Sequence, residues 1–189
     1  MMKKIILFNL ILISVLLVFS GDLLARKKST DYFFRPQVGI WFGPVTPMFE
    51  LADQVDTSLG AGGYFRYNTF IQSLKIGFDS SYQSHSSDST SEVTIVPVYG
   101  SLVYWLPLNF PINFQLKAGT GACWVEIKPD SVSQWDPMFT FGGEMSFPAG
   151  NRFNIGLRID YHVIYEKYMD NAKYNGNFIN AGLTLYLNL

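Results

Sequence analysis

Between Phe153 and Tyr165 the chain reads FNIGLRIDYHVIY, an unbroken alternation. Phe153, Ile155, Leu157, Ile159, Tyr161, Val163 and Tyr165 share one face, and Asn154, Gly156, Arg158, Asp160 and His162 share the other. Only a β-strand, with its period of two, separates residues in this way. Alternation does not say which face looks inward, because a soluble sheet buries its apolar face while a membrane barrel turns it to lipid. Length does decide. Soluble strands have a mode of about 5 to 6 residues, whereas a tilted membrane strand needs roughly 9 to 11. At about 3.3 Å per residue and a tilt near 40°, this run covers roughly 30 Å of membrane normal, with aromatics at both ends of its apolar band.

Composition agrees with a lipid-facing exterior. Charged residues make up 15% of the chain and aromatics 16%, against about 25% charged in an ordinary soluble domain. Too few charges remain to coat a barrel with a water-facing surface.

The N-terminus reads separately. Lys3 and Lys4 precede an apolar run from Ile5 to Phe19, and small residues follow at Ser20, Gly21 and Ala25. The run is shorter than the roughly 20 residues of a spanning helix, so residues 1–25 are expected to be a cleaved secretory signal, with residues 26–189 as the barrel domain. Removing Lys3, Lys4 and Asp22 from 14 basic and 15 acidic residues leaves 12 and 14. No basic stripe points to nucleic acid. Cys123 is the one cysteine, which excludes an intrachain disulfide and any cysteine-based metal cluster.

The rest of the chain repeats the same pattern. Strands are expected from Tyr32 to Phe42, Leu59 to Phe70, Leu74 to Tyr82, Glu92 to Trp105, Ile112 to Trp124, Met138 to Phe147, Phe153 to Tyr165 and Ile179 to Leu189. The fourth has no single parity, since Val93, Ile95, Val96, Val98, Leu102 and Val103 fall on both faces, and Pro97 predicts a bulge or a break in pairing. Gly43 to Ser58 reads as a long loop with one short helical turn near Thr46-Pro47, Ser84 to Ser91 as a serine-rich tip, and Lys128 to Pro137 and Lys167 to Gly176 as polar loops. The other connections are short. Eight strands joined alternately by long loops and short turns form an all-β, antiparallel up-and-down transmembrane barrel with short periplasmic turns and longer external loops.

These residues resemble the eight-stranded OmpA/OmpX-like outer-membrane barrels along the whole mature chain. The last strand, Gly182-Leu-Thr-Leu-Tyr-Leu-Asn-Leu189, is similar to the family's alternating terminal strand. The resemblance implies a bacterial outer-membrane location, lipid as solvent, and insertion by the barrel assembly machinery. That machinery uses a terminal aromatic, for which Leu189 stands here. A shared fold does not fix function.

Candidate chemistry is sparse. His162 and Asp160 share an inner face, but no nucleophile stands beside them, and Ser146 lies at the opposite end of its strand, so an internal polar network is the simpler reading. His85 and Ser87 match, in spacing, the histidine-then-serine pattern of lipid A deacylases on a lipid-facing strand, within a stretch where serine is abundant. Acidic residues outnumber basic ones in the loops, at Glu50, Asp53, Asp56, Asp88, Glu92, Glu126, Asp130, Asp136, Glu166 and Asp170 against Lys128, Lys167 and Lys173. They suit a basic ligand or a cation, or simply keep the loops solvated. No metal-ligand spacing, cofactor motif or catalytic set is present. On the polar parity, Arg66, Asp79, Lys117, Glu144, Arg158 and Asp160 all fall three to seven residues from the periplasmic end, which predicts one balanced interior charge network. The expected function is non-enzymatic: a plugged barrel as stalk, with external loops serving envelope integrity or surface attachment. A narrow channel for small apolar molecules and a lipid A-modifying enzyme are the alternatives.

Overall fold

The strong alternation folds as strands throughout, and their edges close on one another. The computed structural model describes residues 35–53, 55–71, 73–86, 92–108, 111–128, 132–165 and 175–189. The expected signal segment, the start of the first strand at Tyr32, Ser87, and most of the Lys167 to Gly176 loop lie outside the described residues. Eight strands, β1 (Gln37–Pro47), β2 (Ser58–Asn68), β3 (Leu74–Ser86), β4 (Glu92–Leu106), β5 (Asn113–Lys128), β6 (Val132–Pro148), β7 (Phe153–Tyr165) and β8 (Asn175–Asn188), form a closed barrel in sequence order. Each pairs antiparallel with its neighbours, and β8 returns to β1.

Parity sets the two faces. Ile40, Phe65, Ile76, Leu102, Phe141 and Ile159 point outward and are 43–59% exposed. A ring of such side chains around a closed sheet far exceeds the apolar patch a soluble monomer carries, and it is the lipid-facing band of an outer-membrane barrel. The opposite parity, with Gln37, Arg66, Asp79, Gln115, Glu144, Arg158 and Thr184, is buried inside.

Several sequence-based boundaries move. β1 runs to Pro47 instead of ending at Phe42, because Pro44 falls where its missing N–H does no harm: the β1/β8 ladder skips Gly43 and Pro44 and resumes at Val45 opposite Asn180. A Cβ at Gly43 would run into the Ala181 carbonyl oxygen and the Gly182 Cα, so glycine permits that close approach. β5 and β6 continue to Lys128 and from Val132, which shortens the expected loop of Lys128 to Pro137 to residues 129–131. β3 likewise extends to Ser86, into the expected serine tip. In β4 the inner face holds Ile95, Pro97, Tyr99, Ser101 and Val103. Its partners Ser81 and Tyr82 drop out of the β3/β4 ladder opposite Pro97 and Val96, with the register unchanged on either side. Pro97 therefore breaks the pairing without a bulge.

The β1–β2 connection folds back over the external mouth. A 3-10 helix, Phe49–Asp53, begins two residues after Pro47. Its Leu51 packs against the buried core, and Val55 is buried behind it.

Candidate functional site

Inward-facing residues build two layers. The layer nearer the periplasm is charged. Arg66 donates to Glu144 Oε2 at 2.7 Å and to Gln115 Oε1 at 2.8 Å. Arg158 donates to Asp79 Oδ1 at 2.8 Å and also bonds Asp160. Lys117 donates to Asp160 Oδ2 at 2.8 Å and lies 3.5 Å from Asp79 Oδ1. Tyr99 Oη accepts from both Lys117, at 3.0 Å, and Arg158, at 2.8 Å, and Ser101 donates to Asp79 at 2.9 Å. The Tyr64 ring joins the two groups: the guanidinium carbon of Arg66 lies 4.2 Å from its centroid and that of Arg158 5.3 Å. All six charged residues are buried.

Local backbone makes the room. β6 carries Gly142 opposite Asp160, where a Cβ would strike Asp160 Oδ1 and the Ile159 carbonyl oxygen. Arg158 and Asp160 stand two apart on β7, so one strand presents a cation and an anion to the same interior. The crevice among Arg66, Val103, Gln115, Lys117, Gly143, Glu144, Arg158 and Asp160 leaves no volume for a water-sized sphere.

Above this slab, toward the external mouth, the interior turns apolar. Val45, Ile95, Cys123, Val125, Met138, Ile164 and Phe178 pack together there, under Leu51. Their polar parity hides them in the sequence. The available signal is that apolar side chains occupy the inward positions near the external ends of six strands, β1 and β4 to β8. The role of Trp41, Tyr64 and Tyr99 as partners of the charges is likewise invisible in the sequence, because an aromatic on the inner parity looks the same whether or not a cation lies over it.

The other candidate groups separate. His85 points inward and is fully buried against Phe178, with ring centroids 5.4 Å apart, and its Nδ1 lies 2.9 Å from the Asp56 carbonyl oxygen. It therefore does not stand on the lipid-facing side, as the deacylase pattern requires. His162 meets Tyr99 edge-on at 5.6 Å, while Ser146 shares a hydrogen bond of 2.7 Å with Tyr186. Asp136, expected on a loop, is buried on the inner face of β6 and accepts from Gln134 at 2.8 Å. Asp53 and Asp56 are exposed at the rim, where Glu92 pairs with Lys128 at 3.3 Å and accepts from Ser84 at 2.8 Å. Among the described residues no group of three His, Cys, Asp or Glu side chains could hold a metal ion.

The external rim is uneven. The β6/β7 ladder ends at Met138 opposite Ile164, whereas the β5/β6 ladder continues to Val132 opposite Ile127, and β3 and β4 pair up to Ser86 and Glu92. Strands β3 to β6 thus form a raised wall. On its β3 side the Asp56 N–H donates to the Ser86 carbonyl at 3.0 Å. On its β6 side, residues 132–137 pair with β5 and have no β7 partner among the described residues.

A protein-family model matches residues 25–186. No curated protein matches the chain. Among solved structures it is similar to neisserial surface protein A (NspA), with a TM-score of 0.67 and 10% identity over 82% of this chain and 97% of that one. The N-terminal β-barrel domain of OprF from Pseudomonas aeruginosa gives 0.49 and 18% over 81% and 97%. Ail, the attachment invasion locus protein of Yersinia pestis, gives 0.46 and 14% over 79% and 97%. At such identities the likeness is one of fold.

Proposed function

Because the chain has the closed eight-stranded fold of outer-membrane β-barrels, we propose that it is a non-enzymatic surface protein whose barrel is a closed stalk and whose raised external wall attaches to other molecules. The observation that carries this reading is the raised wall of β3 to β6, whose β5/β6 ladder runs six residues beyond the last β6/β7 pair among the described residues. A row of backbone N–H and C=O groups in water is a template for one more strand, so an extended segment of another protein can add to it. Pro137 removes only one donor from that row. Trp135, 60% exposed and directly opposite Trp124, supplies the aromatic anchor that such contacts favour. The carboxylates of Asp53 and Asp56, exposed at the same external rim, favour a basic segment.

The closed stalk is supported by the charged slab and the apolar layer stacked above it. A conducting pore would be lined by one sign of charge or by an open path. The reading is tested by capturing cells that produce the protein on immobilised peptides of alternating valine and lysine. Ser133→Pro together with Trp135→Ala should reduce capture several-fold while the barrel still folds. Unchanged capture by a folded variant would overturn the attachment role.

A further inference from the structure

The periplasmic turns are not alike. The β2–β3 turn presents Phe70, 99% exposed, and Ile71, 50% exposed, and the β4–β5 connection presents Leu108 at 47%. These two connections are neighbours, since the Trp105 N–H donates to the Ser73 carbonyl at 2.7 Å and Leu74 pairs with Tyr104. The β6–β7 turn instead exposes Ala149, Asn151 and Arg152.

For the β2–β3 turn, strand lengths explain the contrast. On β2 the lipid-facing run from Leu59 to Tyr67, and on β3 that from Leu74 to Tyr82, each cover roughly 20 Å of membrane normal at about 3.3 Å per residue and a tilt near 40°, short of an apolar band of about 25 Å. On β7 the run from Phe153 to Tyr165 reaches roughly 30 Å by the same measure and needs nothing from its turn. Phe70 and Ile71 are exposed just beyond the periplasmic end of β2, where the outward Phe65 and Tyr67 rings lie 6.5 Å apart.

The backbone of the β2–β3 turn is also satisfied from within. The Thr69 hydroxyl accepts from the Ile71 N–H at 3.1 Å and donates to the Leu74 carbonyl at 2.8 Å. The Thr69 N–H donates to that same carbonyl at 3.2 Å, and the Leu74 N–H to the Ile71 carbonyl at 3.2 Å. Ser73 takes a left-handed φ of 74° to close the turn. Such pairing lets the backbone of the turn sit at an apolar boundary, where unpaired polar groups are costly.

We infer that the β2–β3 and β4–β5 turns are seated in the periplasmic leaflet of the membrane, with Phe70, Ile71 and Leu108 as an apolar anchor on one side of the barrel. Their ligand is phospholipid, and only Asn68 and Thr69 stand between the lipid-facing Tyr67 and the exposed Phe70 and Ile71.

The test places an environment-sensitive fluorophore on Phe70→Cys or on Asn151→Cys, both in a Cys123→Ser background, in the full mature chain folded into phosphatidylcholine vesicles. The label at position 70 should be quenched by brominated acyl chains and protected several-fold from aqueous iodide relative to the label at 151. Should Cys123→Ser prevent folding, Phe70→Trp and Asn151→Trp with Cys123 in place report the same contrast, as bromolipid quenching added to that of the parent. Equal access of iodide to both positions would overturn the inference. So would a position 70 open to iodide in vesicles but shielded in native outer membranes, which would assign the patch to a periplasmic protein.

Discussion

Arg158 holds two carboxylates at once, bonding Asp79 and Asp160 while also donating to Tyr99. Removing it leaves buried anions with only Lys117 to offset them, and an uncompensated buried charge is far costlier than the loss of one contact. Arg158→Leu is expected to destabilise the barrel by roughly 3 to 5 kcal/mol in urea unfolding, whereas the exposed turn substitution Arg152→Gln should shift stability by less than about 0.5 kcal/mol. Tyr99→Phe removes an acceptor shared by Lys117 and Arg158, and its cost should be intermediate, about 1 to 3 kcal/mol. Comparable midpoints for Arg158→Leu and Arg152→Gln would mean that the slab contributes nothing to holding the barrel. At this scale parity is enough to turn Arg66, Asp79, Lys117, Glu144, Arg158 and Asp160 inward. Which cation meets which anion depends on strand stagger, to which a sequence pattern is blind. Asp136 shows the limit: its polar neighbours Ser133 and Gln134 read as loop, yet it is buried on a strand.

Prolines mark where reading the elements from the sequence fell short. Pro44 and Pro137 suggested loops, but a barrel strand tolerates proline wherever the ladder has no bond to lose, and both lie within strands here. Pro97 does interrupt pairing, as its type predicts. The skipped pairs at Gly43 and Pro44 and at Ser81 and Tyr82 leave two seams weaker than the rest, so amides flanking them should exchange with deuterium before those of β5 and β6, whose ladder runs from Asn113 to Ile127 without a gap. Uniform protection around the barrel would contradict that ordering. Turn sidedness is testable as well. An epitope inserted between Ser86 and Glu92 should be reached by antibody on intact cells, and one inserted at Ala149 only after the outer membrane is opened.

As a whole molecule the protein is a sheet without a free edge through the membrane, and such a sheet resists mild denaturant because no strand can leave alone. Unheated protein in detergent should therefore migrate differently from boiled protein on electrophoresis, and identical migration would argue against the closed barrel. The charged slab has an electrical consequence. Its three cations, Arg66, Lys117 and Arg158, are matched by three anions, Asp79, Glu144 and Asp160, and the buried Lys75 is offset in the interior by the buried Asp136, so a field across the membrane finds no net charge to pull among the described residues. Each uncompensated charge that crossed the full field would contribute about 2.3 kcal/mol per 100 mV, and for a neutral slab that work vanishes apart from a dipole component. Current through a planar bilayer holding the parent protein should stay at baseline as the potential is swept in either direction. Arg158→Gln leaves the slab with one excess negative charge, and this variant is the one in which voltage should acquire a grip on the interior.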